Sequence, residues 1–144
     1  MGLFFILSLS CFSFNIYLIT ERFTLKAHER LKSRTLIQQL FKEGKSFSVF
    51  PLRIIYLQSE NQKFSLQAGF TVNSRNFKKA VDRNRIKRLM RETYRLQKNK
   101  LLNQLTKNHK NLGVFFVYTG KELPEFHELF EKMQRVLEKL GDLG

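Results

Sequence analysis

The side chains best placed to do chemistry lie between residues 75 and 100. Eleven cations (Arg75, Lys78, Lys79, Arg83, Arg85, Lys87, Arg88, Arg91, Arg95, Lys98 and Lys100) stand there against two acids, Asp82 and Glu92, so this stretch holds +9 of the chain's +14. At about 100° per residue, Arg83, Lys87, Arg91 and Arg95 advance by roughly 40° a step. Asn84, Arg88 and Lys98 fall in the same arc, and Ile86, Leu89, Met90, Thr93 and Leu96 take the opposite side. Arg85 lies off the arc, about 200° from Arg83. One face can pack on a core while the other presents cations. Like charges at i,i+4 cost ~0.2–0.5 kcal/mol per pair, and Glu92 alone offers local relief. A merely solvated face usually mixes signs. This one does not, and a polyanion is the reason it points to: neutralising phosphates releases condensed counterions.

Other chemistries lack their residues. The twelve acids form no cluster of the kind two-metal phosphodiester hydrolysis needs, so no catalytic residue and no metal ligand is assigned. His28, His109 and His127 are scattered, with no CxxC or HExxH motif. The lone Cys11 excludes an internal disulfide and fits a reducing, cytoplasmic setting. A pI near 10.2 leaves nucleic acid or an anionic membrane as the partner. DNA is disfavoured, because the basic helix belongs to no recognisable helix-turn-helix.

Elements must hold the cations in place. Residues 1–20 carry no charge and no complete secretory signal. Their apolar run is short and serine-diluted for a span, so they read as an appendage or as upstream sequence ahead of the true start. A membrane-surface role would rest on them. The domain is expected over residues 21–144. Ser33 is an N-cap for a first helix over 34–43, with Leu36, Ile37, Leu40 and Phe41 as its stripe and Gly44 as its stop. Strands are expected over 47–50, 52–58, 64–72 and 112–119. A hairpin-type turn at 59–62 would join the second and third in an antiparallel sheet. Phe64, Leu66, Ala68, Phe70 and Val72 would face the core, leaving the polar face of that strand open to a ligand. The basic helix is expected to reach about residue 98, with a frayed loop over 100–111. A last helix after Pro124 carries Phe126, Leu129, Phe130, Met133, Val136, Leu137 and Leu140 inward. Tyr56, Tyr94 and Tyr118 are read as edge-of-core residues with surface hydroxyls. The order α-β-β-β-α-β-α gives an α+β layer with helices on one side of the sheet.

The runs ERLKSR…FKEGKSF, GFTV and AVDRNRIKRLMRETYR resemble the protein subunit of bacterial ribonuclease P, over about residues 21–140. The discriminating part is Arg83-Asn84-Arg85-x-Lys87-Arg88-x-x-Arg91. The resemblance implies a small single-domain α/β sandwich with a left-handed βαβ crossover through the basic helix. It also implies a division of labour. A catalytic RNA removes the 5′ leader of precursor tRNA with Mg2+ held by RNA, and no cofactor is bound by the protein. The polypeptide would form a monomeric 1:1 complex with that RNA and hold the leader in a cleft between the first helix and the sheet.

On that resemblance, RNA binding falls to Arg83, Asn84, Arg85, Lys87, Arg88 and Arg91, with Arg95, Arg75, Lys78 and Lys79 beside them. The leader cleft falls to Phe41 and Ile37. Without the resemblance, Phe41 and Ile37 on a helical stripe read as core, and Asn84 reads equally as an N-cap. Two positions depart from the family pattern: Ile37 stands where a second aromatic is common, and Ser74-Arg75 where two basic residues are favoured. The competing reading is a non-enzymatic RNA-binding protein of ribosomal-protein-like fold.

Overall fold

The computed structural model describes residues 25–59 and 65–143. A short 3-10 turn, Ala27–Glu29, precedes α1 (Arg34–Glu43), β1 (Lys45–Val49), β2 (Leu52–Ser59), β3 (Leu66–Val72), α2 (Ala80–Lys107), β4 (Asn111–Tyr118) and α3 (Phe126–Leu143). That is the element order expected from the sequence. The readings made for residues 1–20, for turn residues 60–62 and for Phe64 lie outside the described residues.

The caps follow local chemistry. Ser33 Oγ accepts the Leu36 N–H at 3.5 Å and starts α1. The helix stops at Gly44, whose N–H reaches the Leu40 carbonyl at 2.9 Å. Its φ of −68° is one that any residue adopts. Glycine is needed there for room, because a Cβ would run into the Leu40 carbonyl oxygen.

The sheet corrects the expected pairing. Its order is β1-β2-β4-β3, so β2 and β3 are not neighbours and no hairpin joins them. β4 lies between them, antiparallel to β2 and parallel to β3. The reason is legible in composition. The run LGVFFVY is apolar at nearly every position and suits a strand covered on both faces, whereas β3 alternates and takes the edge.

Helices also cover both faces rather than one. Leu52, Ile54, Leu66, Ala68, Val114 and Phe116 meet Ile86, Met90 and Tyr94 of α2 and Met133, Val136 and Leu140 of α3 in the larger core. On the other face α1 lays Leu40 over Ile55, with Leu36, Ile37, Leu57, Phe115 and Val117 packed around it. β3 does turn Leu66, Ala68 and Val72 into the larger core, and on its second face Gln67 and Thr71 are half-buried. Gly69 is covered there, with the Phe115 ring 2.6 Å from where a Cβ would stand.

α2 continues nine residues past the expected end near residue 98, to Lys107. Leu101 and Leu105 are buried at the spacing that carries on the stripe of Met90 and Tyr94. The Lys/Asn-rich composition belongs to the outer face and hid that period. Phe126, expected in the core, is exposed at the first turn of α3.

Tyr94 is the largest departure among the tyrosines. It is 1% exposed, wedged at 5.4 Å from Phe70 and 5.5 Å from Phe116, and its hydroxyl has no hydrogen-bond partner. Burial, and secondarily the Glu29 charge, push its ionisation well above the ordinary tyrosine value of 10.0. An unsatisfied buried hydroxyl costs ~1–3 kcal/mol, so Tyr94→Phe should leave stability at neutral pH unchanged or raised. The sign of the pH effect follows from linkage. Above about pH 10 the unfolded chain releases this proton and the folded chain keeps it, so stability falls as pH rises. Urea unfolding at pH 8 and at about pH 11 should show a steeper alkaline loss for wild type than for Tyr94→Phe.

Candidate nucleic-acid interface

The basic surface is built on two supports, α2 and the loop before it. The loop at 73–79 is held down at several points. Asn76 Nδ2 donates to the Thr119 and Gly120 carbonyls at 3.0 and 3.1 Å, and the Asn73 N–H reaches the Tyr118 carbonyl at 3.1 Å. Asn73 Oδ1 accepts the Arg75 N–H at 3.0 Å. Phe77 is buried with its ring 6.0 Å from that of Tyr118. A polar clasp and an apolar anchor thus fix a loop whose Arg75, Lys78 and Lys79 side chains are exposed. α2 begins at Ala80 directly after these lysines, so its unpaired N–H groups add positive potential to the same place.

The residues singled out on α2 divide into three groups. Asn84, Arg85, Arg88 and Arg91 are exposed and Lys87 is half-buried. Asn84 lies inside the helix and is no N-cap, since that position belongs to Lys79. Two arginines of the arc are engaged within the protein. Arg83 Nη1 donates to the Phe77 and Lys78 carbonyls at 2.8 and 2.7 Å, tying the loop to the helix. Arg95 Nε donates to Glu92 at 3.0 Å, and a second contact joins its Nη2 to the same carboxylate. That pairing holds the Glu92 carboxyl below its usual range. Lys98 is no part of the cationic face: it is 3% exposed and ion-paired with Glu29. The helical wheel placed it in the arc because angle alone does not register what packs over a helix further along.

Phe41 and Ile37 separate in the same way. Ile37 packs into the smaller core. Phe41 is 55% exposed and sets its ring edge-on to Phe115 at 5.2 Å, so it is a surface aromatic supported by a sheet aromatic. Phe115 continues over Gly69 to the β3 edge, where a groove of about 230 Å³ is lined by Arg30, Lys32, Gly69, Phe70, Arg91 and Phe115. Arg30, Lys32 and Phe115 were not picked out from sequence. The signal was there in ERLKSR, but the segment lacks periodicity. Larger hollows of about 350 and 370 Å³ occur between α2 and α3 and beside residues 119–124. Both include acids (Glu138 and Asp142; Glu122 and Glu128) and suit a polyanion poorly. Among the described residues no group of three or more His, Cys, Asp and Glu side chains could hold a metal ion. Among them, too, no helix is long and apolar enough to cross a membrane.

Comparisons with known proteins agree on one family. Residues 25–141 match the family described as Ribonuclease P. The chain is 39% identical over 120 residues to a protein of Porphyromonas gingivalis named ribonuclease P protein component, covering 83% of this chain and 88% of that one. A protein of the same name from Chlorobium phaeobacteroides is 30% identical over 128 residues, covering 81% and 88%. Among solved structures, the RNase P protein from Thermotoga maritima superposes with a TM-score of 0.61 at 26% identity, covering 77% of this chain and 96% of that one. The Staphylococcus aureus RNase P protein reaches 0.63 at 20% identity, covering 79% and 95%, a likeness of fold.

The groups on α2 should fail differently. Arg88→Ala removes an exposed cation, so thermal stability should move by less than ~0.5 kcal/mol. RNA affinity should drop and the log–log salt slope flatten by ~0.7–0.9. Arg83→Ala should instead lower the melting temperature, since two loop carbonyls lose their donor.

Proposed function

The chain belongs to the ribonuclease P protein family and serves tRNA processing as that enzyme's protein component; on that premise we propose how it divides the labour with RNA. The polypeptide is the binding partner in a ribonucleoprotein endonuclease, and the catalytic RNA cleaves the 5′ leader from precursor tRNA. Magnesium, in this reading, is held by RNA. The supporting observation is the exposed row of Asn84, Arg88 and Arg91 on a helix whose other side is locked into the core. Such a row presents phosphate ligands at fixed spacing without disturbing the fold when RNA arrives.

The pinned loop carries Arg75, Lys78 and Lys79 to the same RNA, and Arg85 and Lys87 extend the contact. Arg83 and Arg95 act mainly by shaping this surface, through the loop carbonyls and Glu92. The single-stranded leader lies across the other face of the sheet, where Phe41 offers a base-stacking surface backed by Phe115. Ile37 fixes α1 against the sheet and leaves stacking to Phe41. The complex is a monomer on one RNA, in the cytoplasm. Residues 1–20 take no part in it, so the segment from residue 21 onward should restore activity to an RNA lacking its protein.

Two outcomes test this reading. Rigorously RNA-free protein should cleave no precursor tRNA at any magnesium concentration. Added to the catalytic RNA, it should promote leader removal at low magnesium, and metal-dependent cleavage by the protein alone would overturn the division of labour. Phe41→Ala should weaken capture of leader-bearing precursor relative to mature tRNA by ~1–3 kcal/mol. Melting should be little changed, because the ring is more than half exposed. A lower melting temperature with full discrimination would return Phe41 to a packing role.

A further inference from the structure

The segment before α1 is held to the body by an arrangement that the RNA-binding motif does not involve. Leu31 N–H donates to the Ala68 carbonyl at 3.0 Å, and Arg30 bridges to Ala68 in parallel register. The segment thus adds a short extra run to the free edge of β3. Gln67 Nε2 reaches the His28 carbonyl at 3.1 Å. Inside this docking sits Glu29, 8% exposed, ion-paired with Lys98, which is 3% exposed. The same carboxylate accepts the Lys26 N–H at 2.8 Å. A buried pair of this kind contributes little net stability compared with apolar residues of the same volume. What it does supply is register. With the Glu29 side chain fixed inward, its neighbour Arg30 and then Lys32 are directed out, both exposed, into the groove that Arg91 closes from α2.

That groove is continuous with the aromatic surface of the smaller core. Phe115 belongs to both: it meets Phe41 on one side and floors the groove on the other. A cation on each bank of an apolar floor suits a sugar–phosphate backbone whose bases lie on rings nearby. We propose that Arg30 and Lys32, aligned by the buried Glu29–Lys98 pair, form with Arg91 a phosphate clamp at the β3 edge that takes the leader strand as it runs off Phe41. Glu29 and Lys98 are positioning residues; they touch no RNA. The inference rests on the leader-binding reading above and extends it to a segment outside the RNR motif.

The test uses the full chain reconstituted with its catalytic RNA. Precursor tRNA carrying a leader of several nucleotides is compared with mature tRNA. Arg30→Ala/Lys32→Ala changes two exposed side chains and should leave melting unaltered. It should reduce leader-dependent affinity by roughly tenfold and flatten its salt slope by about 1.4, at ~0.7 per single-strand phosphate contact. Affinity of the protein for the catalytic RNA should stay within about twofold. Glu29→Gln should reduce leader-dependent affinity in the wild-type background and add nothing in the Arg30→Ala/Lys32→Ala background. Should Glu29→Gln melt below the assay temperature, Glu29→Gln/Lys98→Met removes both charges together, leaves no buried unpaired ammonium and carries the same expectation. Unchanged leader discrimination in Arg30→Ala/Lys32→Ala would overturn the clamp. An equal loss for precursor and mature tRNA, or a fall in catalytic-RNA affinity, would assign the groove to the RNA subunit and overturn the leader assignment. Additive effects of Glu29→Gln would overturn the positioning role. Failure of the wild-type protein to assemble with the catalytic RNA at all would instead count against the function on which this rests.

Discussion

Everything exposed on α2 depends on how its hidden side is seated. Tyr94 packs against both Phe70 of β3 and Phe116 of β4, whose own rings stack at 5.2 Å. Met90 and Ile86 lie one and two turns before it, and Leu101 and Leu105 two and three turns after. A helix this rich in one sign of charge is a poor candidate to stand alone, since its neighbouring cations repel. Burying a stripe of large side chains, each worth ~1.5–3 kcal/mol when removed from water, outweighs repulsions of a few tenths. The core therefore fixes the spacing of the cations as firmly as it fixes itself. Tyr94 carries a hydroxyl into that core with no partner, a local cost inside the packing that holds the functional helix.

Much of this was legible in the sequence, and the failures share a cause. α1 and the element order were readable because periodicity and caps are local properties. The exposure of Asn84, Arg88 and Arg91 followed from the wheel for the same reason. The strand order was not local: β4 inserts between β2 and β3, and the turn-like residues after β2 suggested a hairpin that does not form. The fully apolar character of LGVFFVY was the available clue to a central strand. Lys98 and Glu29 were missed because a buried ion pair joins positions 69 residues apart, and neither looks unusual in its own neighbourhood. Arg83 is the subtler case. Its place in the motif suggests a ligand for RNA, and its Nη1 also donates to the carbonyls of Phe77 and Lys78. A motif position can work by shaping the surface its neighbours present.

The two faces of the sheet are packed differently. Toward α2 and α3 the packing is deep and almost wholly apolar. Toward α1 it is thin, with Leu31, Leu40 and Ile55 buried and the surrounding Leu36, Ile37, Leu57, Phe115 and Val117 only partly so. A thin layer stabilises a domain weakly and leaves aromatic and aliphatic surface exposed, Phe41 most of all. Gly69 contributes to this by letting the Phe115 ring approach β3 closely.

The position of β4 also sets an order on how the molecule comes into being. β1 and β2 can pair as soon as both exist, because they are neighbours in sequence and in space. β3 pairs along its length with β4 alone, and α2 lies between them in the chain. Until residues 111–118 have left the ribosome, β3 has no strand to lie against and α2 has only half a floor. Closing a connection of that length is slow and defers cooperative folding to the end of synthesis. The most cationic helix of the protein is therefore translated well before the surface that will hold it. During that interval its cations are exposed to any polyanion nearby while its apolar stripe has nothing to pack against.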